Sequence, residues 1–277
     1  HGMAEYVERY ENLAEFLTKR GILVTGEDHL GHGKSVSEGG SFGYFCEQDP
    51  ATVVVRDVHR LKKITEEQYP QVPYIILGHS MGSFIARNYL CRYGSGIGGA
   101  VIVGTGMQPA GLIFASKAMA GIQKLFCGSK HVSHFIDKAA FGGYNKRIDS
   151  PRTSSDWLSR NTENVDRYIA DELCGFTFTV NGFQTLFELI RRLQKQENLE
   201  KVPQNLPILM VSGAEDPVGD YGKGVHKACD SLKRAGVKNI TVKLYENDRH
   251  ELLNEDDAET AMEDIWQWIC KEIPGIA

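Results

Sequence analysis

Apolar and polar positions along this chain follow two rhythms. Short apolar runs recur as "GILVTGED" (21–28), "VPYIILGHS" (72–80), "GGAVIVGTG" (98–106), "LPILMVSG" (206–213) and "NITVKLYE" (239–246). The most continuous of them predict strands buried on both faces. Longer stretches with helical spacing lie between: 51–69, with Val55, Val58, Leu61 and Thr65 on one face, then 81–94, 221–236 and 257–273. Strands alternating with helices predict an α/β fold, with a mostly parallel sheet flanked by helices on both faces. From Met107 to Lys201 the rhythm breaks. That stretch is mainly helical, rich in aromatic residues and without strand alternation. The expected organisation is a core of residues 1–106 and 202–277, interrupted by a helical cap at 107–201.

Composition narrows the function. The 277 residues, 42% apolar and 24% charged, suit one large α/β domain with an insertion. The net charge is −5 and no Lys/Arg-rich run stands out, which argues against a nucleic acid partner. The mixed-sign stretch "RRLQKQENLEK" reads as a solvated helix face. No apolar run reaches the roughly 18 residues of a membrane-spanning helix. Six cysteines are scattered without a CxxC, as expected of reduced thiols in a cytoplasmic protein. His131 and His134 stand three apart without a third ligand nearby, so no metal site is expected.

The chemistry gathers at strand ends. Gly78-His79-Ser80-Met81-Gly82 is a G-x-S-x-G, with a buried strand before it and an apolar helix after it. That context predicts a nucleophile elbow, a turn so tight that the serine hydroxyl is pushed outward and flanking side chains must be absent. A serine hydroxyl needs a base, and the base needs an orienting acid; in this fold both follow in chain order. Asp216 lies just past "LPILMVSG" and is favoured over Glu215, which points elsewhere, and Asp220, which reads as a helix cap. His250, in "NDRHELLNE", is the histidine of the loop after the last strand. His79 reads as the variable letter of the elbow. "DHLGHGKS" lacks the first glycine of a phosphate-binding loop and reads as a structural loop, so no nucleotide is expected.

His1-Gly2-Met3-Ala4-Glu5, "DHLGHGKS", "GHSMG", "GAEDPVG" and "RHELLNE" follow one another in an order that resembles the monoacylglycerol lipase and lysophospholipase branch of the α/β-hydrolase superfamily. This branch carries the serine aminopeptidase S33 domain. The resemblance covers nearly the whole chain and implies a cofactor-free serine hydrolase. It implies that the backbone N–H groups of Met3 and Met81 form the oxyanion hole, where losing one donor costs about 2.7–4 kcal/mol. In such relatives a few strands precede His-Gly. This chain starts at His1, so those N-terminal strands are expected to be missing and the His1–Ala4 loop loosely held. The cap's aromatic residues, with Phe114, Phe176, Phe178 and Phe183 as the expected lining, favour a hydrophobic acyl ester and brief contact of the cap with a membrane surface. An amide or peptide hydrolase on the same triad, and a lipid-binding protein with little activity, are the competing readings.

Overall fold

The computed structural model describes residues 1–275. The elements follow in chain order as α1 (Glu11–Thr18), α2 (Pro50–Gln68), β1 (Ile75–His79), α3 (Met81–Tyr93), β2 (Gly99–Val103), α4 (Ala110–Cys127), α5 (His134–Phe141), α6 (Thr162–Ala170), α7 (Val180–Leu193), α8 (Gln196–Leu199), β3 (Ile208–Gly213), α9 (Lys223–Arg234), β4 (Ile240–Tyr245) and α10 (Ala258–Glu272). The four strands form one parallel sheet in the order β1-β2-β3-β4. The two central strands, β2 and β3, are buried along their whole length. The edge strand β4 alternates between half-buried and exposed.

Alternation along the strands divides the core into two layers. Ala100, Ile102, Ile208 and Met210 face α2, α3 and α9, through Val54, Phe84 and Leu232. Val101, Val103, Leu209 and Val211 face α1 and α10, through Leu13, Leu17, Ile265 and Ile269. In α2 the buried positions are Ala51, Val54, Val55 and Lys62. Of the expected stripe, Val55 is buried and Val58 packs against the core, while Leu61 and Thr65 are half-buried. Buried Lys62 is tolerated because its ammonium is paired with Glu66.

"GILVTGED" departs from expectation. Residues 22–26 belong to no helix and join no strand ladder. Their backbone runs along a cleft of ≈ 1100 Å³, with Leu13, Leu17, Ile75 and Leu77 on its walls, so no neighbouring strand is there to pair with them.

The stretch 107–201 adds no strand to the sheet: helices alternate with turns and loops, and its one β contact is an isolated antiparallel bridge, Val132 to Thr179. Helix α7 anchors it. Val180, Phe183, Leu186, Phe187, Leu189, Ile190 and Leu193 form one buried face that meets α3 and α4. Phe178 and Phe183 are fully buried and meet, tilted, at 5.8 Å, with Phe45 closing on Phe178 at 5.7 Å. These rings therefore fasten the stretch 107–201 to the rest of the chain. Replacing Phe178 by alanine should destabilise the fold by about 3–5 kcal/mol. A urea unfolding midpoint unchanged from wild type would show that the ring is not a cap anchor.

Candidate active site

Three loops at the C-terminal ends of β1, β3 and β4 meet at one point. Ser80 stands between β1 and α3, with φ +54° and ψ −119°, a conformation costly for a residue with a side chain. Its N–H is held by the Val103 carbonyl at 3.0 Å. The turn closes so tightly that a Cβ on Gly78 would collide with the Gly82 carbonyl. A Cβ on Gly82 would stand 2.6 Å from the His1 carbonyl oxygen. The His1-Gly2 segment thus lies directly on the elbow. Among the described residues, the N–H groups of Met3 and Met81 have no acceptor. Both residues sit at the elbow, Met81 just after Ser80 and Met3 in the segment laid against it.

His250 lies five residues beyond β4 and Asp216 three beyond β3; both are fully buried. His250 Nδ1 stands 3.0 Å from Asp216 Oδ2. The other carboxylate contacts come from Ser212 Oγ at 3.1 Å and the Val218 N–H at 2.8 Å. Asp216 is thus fixed by three donors, and it fixes His250 as the tautomer with Nδ1 protonated. That leaves Nε2 as the proton acceptor. Ser80 Oγ makes no hydrogen bond to this ring, a separation that resting sites close when substrate binds. Burial pushes the imidazole towards its neutral form. The charge and hydrogen bond of Asp216, helped by Glu251 and Glu5, outweigh it and raise the His250 pKa above the ordinary histidine value. Glu215 is exposed rather than buried beside His250, and its backbone N–H donates to the Asp248 carbonyl at 2.9 Å.

Other expected residues are placed differently. Phe178 and Phe183 lie wholly inside the packed core, so neither borders open space. Phe176 is half-buried against Phe42 at 4.9 Å and His32 at 5.3 Å. Phe114 is exposed on α4. "DHLGHGKS" is a loop tied by its own acid, for Asp28 accepts from the Val7 N–H at 2.9 Å and the Lys34 N–H at 2.7 Å. Among the described residues no cluster of three or more His, Cys, Asp or Glu could hold a metal ion.

Several neighbours of Ser80, Asp216 and His250 were given no role of their own in the sequence. His79 has its Nε2 3.1 Å from the His250 carbonyl and its Nδ1 2.7 Å from the Tyr10 hydroxyl. Trp157 of the cap lies against the His250 ring at 5.1 Å. Glu5 receives the Tyr10 hydroxyl at 2.7 Å and the Gly2 N–H. The only sequence signal for these was their proximity to motifs: His79 within the elbow, Glu5 four residues after His1.

The family described as serine aminopeptidase, S33, matches residues 1–257. The chain is 28% identical to rat monoglyceride lipase over 99% of its own length and 81% of that protein's. It is 27% identical to a monoacylglycerol lipase of Mycolicibacterium smegmatis, covering 99% of this chain and 87% of the other. The crystal structure of a highly thermostable carboxyl esterase from Bacillus coagulans, in complex with glycerol, superposes with a TM-score of 0.92 at 29% identity. That match covers 100% of this chain and 88% of the esterase.

If the buried pair works as its geometry indicates, ester turnover falls on acidification as His250 gains a proton. Because Asp216 raises the His250 pKa, the midpoint should lie above the roughly 6.5 of an ordinary histidine. Asp216→Asn should move it down and cut kcat/KM by several orders of magnitude. A rate flat from pH 5 to pH 9, or His250→Ala at wild-type rates, would contradict the assignment.

Proposed function

The chain belongs to the serine aminopeptidase S33 family and is a carboxylic-ester hydrolase; we propose that it cleaves lipid monoesters of the monoacylglycerol or lysophospholipid type through an acyl-enzyme on Ser80. The observation that carries this reading is the buried Asp216–His250 pair beside a strained serine and two unengaged backbone donors. His250 Nε2 takes the Ser80 proton as Oγ bonds to the ester carbon. The carbonyl oxygen gains the negative charge, and the Met3 and Met81 N–H groups stabilise it. The C–O bond to the alcohol then breaks, and His250 returns the proton to the leaving oxygen. Water repeats the sequence on the acyl-enzyme, activated by the same imidazole, and frees the acid and Ser80.

The relatives' names and the cap support a hydrophobic acyl group. Each methylene buried in the site contributes about 0.8 kcal/mol, or roughly fourfold in kcat/KM. A series of p-nitrophenyl esters from acetyl to palmitoyl should therefore rise in kcat/KM until the pocket is full. Highest rates on acetyl esters, or faster cleavage of aminoacyl amides than of esters, would overturn this reading.

The cap also suits a membrane surface. Phe114, Leu125, Phe126 and Phe135 are each at least 65% exposed, and Lys124 and Lys130 lie beside them in sequence. Apolar side chains flanked by lysines favour the interface of an anionic bilayer. No helix among the described residues is long and apolar enough to cross one. The six cysteines are unbonded, which supports a reducing compartment such as the cytoplasm. The protein should co-sediment with vesicles containing phosphatidylglycerol. Replacing Leu125 and Phe126 by serine should abolish that while sparing turnover of a short soluble ester. Equal sedimentation of both proteins would remove the cap from this role.

A further inference from the structure

Glu251 follows the base His250 directly, and Arg9 lies six residues beyond Met3, in the 3-10 turn Val7–Tyr10. Neither belongs to the triad, yet they meet inside the protein. Arg9 grips Glu251 with both ends of its fork, Nη1 to Oε1 at 2.6 Å and Nη2 to Oε2 at 2.8 Å. The same Nη1 reaches Glu5 Oε2 at 3.0 Å. Glu5 in turn accepts the N–H of Gly2, the residue before the Met3 oxyanion donor. The cap completes the cluster: Asn164 of α6 donates to Glu251 at 2.6 Å and accepts from Arg9 at 3.1 Å. The Glu251 N–H donates to the Leu158 carbonyl at 2.6 Å. The side chains of Glu5 and Glu251 are 3% exposed and that of Arg9 10%.

Resting on the hydrolase reading above, we propose that Arg9 and Glu251 are positioning residues, a buried clamp that sets the catalytic base and the oxyanion loop against each other and ties both to the seated cap. Burying a guanidinium with two carboxylates involves a desolvation cost that an apolar cluster of the same volume avoids. The arrangement is thus a weak source of stability. It is a strong source of geometry, because a bidentate fork fixes angle as well as distance.

The clamp also carries charge. One guanidinium facing two carboxylates leaves an excess negative charge behind His250, added to that of Asp216. The other groups around it are Tyr10, His79 and the His1 amine on the core side, the amine pushed towards its neutral form by burial against the pull of Glu5, and Tyr168, Cys174 and Asp171 from the cap. Tyr168 stacks under Arg9 at 5.0 Å. Burial and the nearby carboxylates push the Tyr10 and Tyr168 hydroxyls well up, and the Cys174 thiol to about 12, so these groups stay neutral. The excess charge therefore favours the imidazolium that forms as Ser80 attacks.

The test compares wild type, Glu251→Gln, Arg9→Lys and Asn164→Ala on a soluble p-nitrophenyl ester, with active sites counted by a fluorophosphonate and melting temperatures recorded. Glu251→Gln keeps the shape and loses the charge. It should lower kcat per active site about tenfold with KM within about twofold, and shift the acid limb down by about one pH unit. Arg9→Lys keeps charge and loses the fork, so kcat should fall with the limb in place. Asn164→Ala, which leaves the ion pair intact, should lower kcat about threefold. A melting temperature that drops while kcat per active site and the acid limb stay at wild-type values would overturn the proposal, leaving the clamp purely structural. Should Glu251→Gln fail to fold, wild-type kinetics in Arg9→Lys and Asn164→Ala would overturn it equally. Wild-type protein inert towards every ester would overturn the hydrolase reading itself, and the clamp with it.

Discussion

Everything at this site depends on one strained turn. Ser80 holds a backbone conformation that costs on the order of 1–3 kcal/mol and persists only where its surroundings over-determine it. The surroundings here are specific. Its N–H is bound to the neighbouring strand, Gly78 and Gly82 let two backbone segments touch, and the first turn of α3 holds its carbonyl through Ser83. The strain places the hydroxyl above the sheet edge, with the helix N-terminus behind it favouring negative charge. Parallel pairing does the rest. Because β1, β3 and β4 run the same way, their C-terminal ends lie at one edge, and loops some 170 residues apart in sequence deliver Ser80, Asp216 and His250 together.

Polar groups in such a place must be paired or they destabilise the fold. Asp216 and His250 pair with each other, and behind them Glu5, Arg9, Glu251, Asn164, Tyr10 and His79 form a continuous hydrogen-bonded layer. That layer joins the segment around Met3, the base loop and the cap. The stretch 107–201 is held to the core through Phe178 and Phe183, and its Asn164 reaches Glu251 beside His250.

The elements with strong local signatures were legible in the sequence. Four of the five strand runs form the ladder, and the helices after them lie where their periodicity puts them. The strand–turn–helix around Ser80 was readable because the turn demands glycines at fixed places. The loops carrying Asp216 and His250 were readable because they directly follow strand runs. What could not be read depends on distant pairing. Residues 22–26 have a strand-like composition, but a ladder requires a neighbour and they border a cleft. Phe178 and Phe183 look like pocket lining in a list of aromatics, and only packing assigns them to the core. Glu251 meets Arg9 across 242 residues, and no spacing rule connects them.

The central claim is that Ser80 is the nucleophile of an acyl-enzyme, activated by the buried pair. Its most direct test is intact mass and peptide mapping after brief incubation with a long-chain fluorophosphonate. The account predicts one adduct per chain, on Ser80, formed far more slowly in Asp216→Asn and absent in Ser80→Ala. A chain that stays unmodified, or an adduct on any other residue, would contradict it.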